Sequence, residues 1–265
     1  MMASAHIPSC RGFTLIEMII AITVLGILSA STAVFLRGPI ASYFDVERRT
    51  GLADSGELAM ARLTLEISQA VPNSVRVTPS GSGFYLEFLP VLSGGRYRIG
   101  GPGNVLNFGT ANTVFDALCS APAVPCPSPG NWVVVNNDLP GSDVWAGNSR
   151  AALVGIAGTT ITHTGHTFLS DAPDHRFQIA GNPVTYFCDP VAGTLKRYSG
   201  YGIAALQPQP PAGVPDTLAT QITACSARFF PGNQRRAGLL ALTLTISNAG
   251  DTLNLYHAIR LESLP

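Results

Sequence analysis

Glu17 is a carboxylate set inside the apolar run FTLIEMIIAITVLGILSASTAVFL (13–36), which is otherwise built from aliphatic, aromatic, small and hydroxyl residues. A charge at the centre of a membrane helix costs about 2.5–3.5 kcal/mol, and less near an end. A charge there needs a reason; the bland one is a side chain that snorkels to lipid headgroups. Four cysteines beyond the run, Cys119, Cys126, Cys188 and Cys225, form a second group; Cys10 lies ahead of it. An even number suits disulfides, and four cysteines allow three connectivities. Sequence proximity favours Cys119–Cys126 around a tight Pro-rich loop and Cys188–Cys225 around a longer one. Neither spacing is the short Cys-x₂₋₄-Cys of structural zinc sites, so no metal is expected there. A third group, His163, His166, Asp171, Asp174 and His175, lies in HTGHTFLSDAPDH. It is read as a polar loop around Pro173 facing water, with no helix or strand to fix ligand geometry. The chain lacks a Gly-x-Ser-x-Gly elbow, a Walker loop and a His-Glu-x-x-His helix, so neither an enzyme nor a cofactor is expected.

Net charge narrows the partners further. Sixteen basic and sixteen acidic residues cancel, and Lys196 is the single lysine. No basic field exists to gather phosphate backbones, which argues against nucleic acid as a partner. With only 12% charged residues and abundant Gly and Pro, the composition suits a β-rich body with many turns.

The elements that must position these residues follow from periodicity. As a helix, 13–36 would be about 36 Å long, enough to cross a hydrocarbon core of roughly 30 Å. A conventional cleaved signal would have a shorter apolar core and a small-x-small site at its far end. Arg11 flanks one end and Arg37, Arg48 and Arg49 follow the other, so the positive-inside rule does not choose an orientation. Paired cysteines would place the C-terminal body in an oxidising compartment. Gly38-Pro39 predicts a kink or local opening. Beyond it, 37–71 reads as an amphipathic helix with Leu52, Met60, Leu63 and Ile67 toward a body, Arg62 and Glu66 paired on the outer face, and an end at Val71-Pro72. The remainder, 72–265, carries strand patterns at 75–77, 84–89, 132–135, 184–187, 195–198, 239–246 and 252–261. The last two flank a turn cluster and predict an antiparallel hairpin with Leu240, Leu242, Leu244 and Ile246 on one face. The expected fold is α+β: a long N-terminal helix packed on a β-rich, largely antiparallel C-terminal body.

The order Arg11-Gly12-Phe13-Thr14-Leu15-Ile16-Glu17 followed by an apolar run resembles the leader and helix of type IV pilins and type II secretion pseudopilins. The resemblance implies a prepilin leader (1–12), cleavage between Gly12 and Phe13 by prepilin peptidase, and N-methylation of Phe13. Glycine at that position lets the backbone lie close against an active site. It further implies that Glu17 faces the N-terminal amine of another pilin subunit during assembly. The implied partners are the peptidase, other pilin subunits, the inner-membrane pilus assembly platform and, before assembly, the lipid bilayer. The implied location is the bacterial inner membrane with a periplasmic body, then a pilus or the cell surface. Three further stretches, 62–77 (RLTLEISQAVPNSVRV), 176–198 (RFQIAGNPVTYFCDPVAGTLKRY) and 238–265, resemble the MshO family of mannose-sensitive haemagglutinin (MSHA) pilus biogenesis proteins. The end of the chain departs from that family's His-Gln-Val-His-Val, keeping His257 but placing Arg260 and Leu261 further on. The layout is also similar to the type II secretion minor pseudopilin called J. A membrane-tethered periplasmic binding protein or hydrolase is the alternative of another class; it would keep an intact or differently cut N-terminus.

Overall fold

The structure, a computed structural model, describes residues 13–119, 127–138, 141–232 and 236–261. The chain divides into two compact units, Met1–Gly51 and Leu52–Pro265. One helix, α1 (Leu15–Ser68), begins in the first and ends in the second. It is unbroken through Pro39, where the sequence predicts a kink or an opening; proline there removes one donor from an exposed stretch, and the flanking turns keep their own bonds. In the first unit every described residue of 13–40 is exposed, and α1 is long and apolar enough to cross a membrane by length and composition.

In the second unit the end of α1 packs through Leu52, Gly56, Ala59, Met60, Leu63 and Ile67, all buried. Their spacing repeats every three or four residues, so they form one stripe of the helix. Each fully buried aliphatic side chain contributes about 1.5–3 kcal/mol. The helix stops at Ser68, three residues before the expected end. Val71 N–H donates to the Leu89 carbonyl (2.8 Å) and Val91 N–H to the Gln69 carbonyl (2.8 Å), so the chain leaves the helix to bond a strand end.

Among the described residues fourteen strands follow, all in antiparallel pairs. They are β1 (Arg76–Ser80), β2 (Gly83–Phe88), β3 (Val91–Arg96), β4 (Asn112–Asp116), β5 (Trp132–Val134), β6 (Arg150–Ala157), β7 (Thr160–His166), β8 (Arg176–Ala180), β9 (Val184–Asp189), β10 (Thr194–Tyr198), β11 (Asp216–Thr220), β12 (Ile222–Phe230), β13 (Gly238–Asn248) and β14 (Asp251–Leu261). Three sheets result, ordered β1-β2-β9-β10-β11, β12-β13-β14 and β3-β8-β5-β6-β7-β4. The first two share one core with the α1 stripe: Phe84, Leu86, Phe88, Tyr186 and Leu195 from one sheet, Leu240, Leu242, Leu244 and Ile246 from the other. The expected β13–β14 hairpin is present, with Asn248 opposite Asp251. Ala249 (φ 48°) and Gly250 (φ 93°) close it, the two positive φ values that a two-residue turn of matching twist requires.

The third sheet is an insertion. β2 and β9 are hydrogen-bonded neighbours, Phe88 opposite Val184, yet β3 to β8 lie between them in the sequence. The inserted chain leaves and returns at one place, where Gly181 N–H donates to the Pro90 carbonyl (2.9 Å). Its sheet curls until its two edges meet: Leu118 N–H bonds the Arg96 carbonyl (2.7 Å) and Arg98 N–H the Asp116 carbonyl (2.9 Å). The six strands thereby form a small barrel closed at this seam, which removes edge groups that would otherwise lack partners. Tyr97, Phe115, Val133, Ile161, Phe168, Phe177 and Ile179 fill it as a separate core.

Candidate functional site

The chemistry legible at the N-terminus is gathered on the first turn of α1. Thr14 precedes the first helical residue, and its Oγ1 accepts from Glu17 N–H at 3.3 Å, while Thr14 N–H points to Glu17 Oε2 at 3.5 Å. This reciprocal pair is a capping box: each side chain serves a backbone donor that the helix cannot. The Thr-x-x-Glu spacing carries the signal, and reading Glu17 only as a membrane carboxylate misses it. Glu17 thus has a local task as well as any task between chains, and its negative charge lies at the positive end of the helix dipole. Capping occupies part of the acceptor capacity of a carboxylate, which has about four lone-pair sites. Phe13, one residue before the cap, is 81% exposed, so its backbone nitrogen stands at an open helix end. Gly12 lies outside the described residues, as does the rest of the expected leader.

The cysteines are divided between the two cores. Cys188 on β9 is bonded to Cys225 on β12, joining the five-stranded sheet to the three-stranded one. Cys119 packs against the barrel core; Cys126 lies outside the described residues, and the expected Cys119–Cys126 pairing with it.

The His/Asp cluster is only in part a loop facing water: Asp171 and Asp174 are exposed around Pro173, but the two leading histidines are not in that loop. His163 and His166 lie on β7, and His163 is 1% exposed, its ring 5.8 Å from Phe115 and 5.6 Å from Phe168. Burial holds its pKa below the ordinary histidine value, against the opposing bond to the Thr164 carbonyl and with a contribution from His166. Asp171 accepts from the Tyr97 hydroxyl and sits 2.9 Å from His175 Nδ1. Partial burial pushes the Asp171 carboxyl up, but Tyr97 and His175 outweigh it and hold it below its usual range. Tyr, Asp and His are residue types of a proton relay, yet Tyr97 is wholly buried and its oxygen also accepts from Ala172 N–H at 2.8 Å. The trio fastens the end of β3 to the segment before β8. Among the described residues no three His, Cys, Asp or Glu side chains converge as metal ligands would.

A family model described as the prokaryotic N-terminal methylation motif matches residues 7–33. No curated protein and no solved structure matches the chain. The matched segment contains the capping box, Glu17 and most of the exposed apolar run of α1. It supports a type IV pilin-like or pseudopilin subunit, and implies processing by prepilin peptidase and pilin-type assembly.

Proposed function

We propose that this protein is a minor, non-enzymatic subunit of a type IV pilus of the MSHA kind. It is held in the bacterial inner membrane by α1 with its body in the periplasm, cut between Gly12 and Phe13, methylated at Phe13, and passed through the inner-membrane assembly platform into a filament. The observation that carries this reading is the methylation-motif match over 7–33 on a helix whose apolar half is exposed on every side. Such a helix needs lipid before assembly and other helices after it. Two features favour the periplasmic orientation and the minor role. The Cys188–Cys225 bond suits an oxidising compartment. The barrel inserted between β2 and β9 enlarges the head, and a large head is harder to repeat around a helical core than to place once near a tip. Membership of an MSHA-type system rests on the resemblance of 62–77, 176–198 and 238–265 to the MshO family; a J-like pseudopilin role rests on the same layout.

Mass spectrometry of the N-terminal peptide, from cells with and without prepilin peptidase, tests the processing. A mature chain starting at Phe13 with a methylated amine is expected, only where the peptidase is present. A chain starting elsewhere in peptidase-positive cells would refute it. Quantitative blotting of sheared filaments tests the minor role: trace amounts relative to the major subunit are expected, and a ratio near one to one would overturn it.

A further inference from the structure

Glu17 and Arg37 are successive charged residues on α1, with none between them. Twenty residues of helix separate them, about 30 Å, the thickness of a bilayer hydrocarbon core. The charges therefore stand at two boundaries, where a carboxylate and a guanidinium reach headgroups and water at little cost. Beyond Arg37 come Tyr43 (67% exposed) and Phe44 (59% exposed), their rings 6.0 Å apart and edge to face. They lie about 9 Å further along the axis. Helical side chains lean toward the N-terminus, so the Phe44 ring, two turns on, leans back on the Arg37 side of the helix, while Tyr43 lies about 120° round it. Tyrosine and phenylalanine following a boundary arginine within two turns are the composition of a membrane interface.

We propose that Arg37, Tyr43 and Phe44 form a collar that binds phospholipid headgroups and fixes the outer boundary of the bilayer on α1, Arg37 contacting phosphate and the two rings lying at the glycerol level. The proposal rests on the membrane-anchored state in the functional reading above and adds the depth at which the helix is held.

The test uses the full chain in vesicles of phosphatidylethanolamine and phosphatidylglycerol, with single substitutions to tryptophan at three depths. Tyr43→Trp and Phe44→Trp report on the collar, and Ile27→Trp, midway between the two charges, reports on insertion itself. The native Trp132 and Trp145 lie in the body and give a background to subtract. With quenchers placed in the headgroup or deep in the acyl chains, Ile27→Trp should lose emission to the deep quencher. Tyr43→Trp and Phe44→Trp should show blue-shifted emission and lose it to the headgroup quencher alone. Adding Arg37→Gln to Phe44→Trp should weaken that headgroup quenching. Loss of deep quenching at Ile27→Trp would refute the membrane anchor. Deep quenching there with Tyr43→Trp and Phe44→Trp unaffected by either quencher would refute the collar while leaving the anchor intact, and so would deep quenching of both.

Discussion

Glu66 on α1 is held by Arg197 on β10, whose Nε lies 2.9 and 3.1 Å from the two carboxylate oxygens. Arg62, one turn back on the helix, reaches the same carboxylate at 3.1 Å. The two arginines differ in setting: the Arg197 side chain is 15% exposed and that of Arg62 45% exposed. An exposed i,i+4 pair contributes about 0.3–0.5 kcal/mol, whereas a charge-assisted bond shielded from water contributes roughly 1.5–3 kcal/mol. Arg197→Ala is therefore expected to lower stability by about 1.5–2 kcal/mol, several times the effect of Arg62→Ala. Urea unfolding in low and high salt checks the difference. Salt should erase the Arg62 effect and leave most of the Arg197 effect; equal losses would show that the strand contact adds nothing to the helical pair.

The Cys188–Cys225 bond closes a loop with a sequence separation of 37. In the chain-entropy model such a closure stabilises by about 3–4 kcal/mol. Cys188→Ala with Cys225→Ala should lower the urea midpoint accordingly, and reduction of the unsubstituted chain should reproduce most of that shift. Cys188 is fully buried, so the double substitution also loses some packing. Reduction of a chain carrying Cys119→Ala and Cys126→Ala, in which Cys188–Cys225 is the bond opened, separates the two contributions.

Much of this architecture is legible in the sequence where burial and alternation coincide. β13 alternates Leu240, Leu242, Leu244 and Ile246 inward with Ala and Thr outward, and the turn residues that follow mark the hairpin. The helix stripe is legible for the same reason. The barrel is not. On β7 the inward positions are Ile161 and His163, so a histidine stands where a period-2 pattern requires an apolar residue. On β3, Ser93, Gly94 and Gly95 read as a turn. Nor does local sequence reveal that β2 pairs with β9 across the whole insertion, because that pairing is a long-range contact. At the N-terminus, apolar length identifies the helix and Glu17 as its exception, but the cap made with Thr14 depends on where the helix begins.

His163 makes the barrel sensitive to acid. Unfolded, the ring titrates near 6.5; folded, burial holds it lower. As pH falls through about 6.5, the unfolded chain takes up a proton that the folded chain refuses, so stability is complete above that value and is lost as pH drops toward the lower folded value. His163→Phe removes the titrating group among Phe115 and Phe168. It should flatten the fall in urea midpoint between about pH 7 and pH 5 relative to the unsubstituted chain. An unchanged slope would show that other groups cause the acid loss.

Glu17 has two tasks, capping α1 and carrying a charge, and a single substitution separates them. Glutamine at the third helical position completes a capping box as glutamate does, so Glu17→Gln keeps the bonds with Thr14 but loses the charge. Thr14→Ala does the reverse, removing the cap oxygen at a cost of about 0.5–2 kcal/mol to the helix end while leaving the carboxylate. If the charge pairs with the amine of another subunit, Glu17→Gln should be processed and inserted normally and then fail to enter filaments. Thr14→Ala should enter them at near-normal levels. Both variants are scored by the ratio of sheared to membrane-bound protein in peptidase-positive cells. The opposite ranking, with Glu17→Gln assembling and Thr14→Ala failing, would assign Glu17 to the helix end and remove it from the subunit contact.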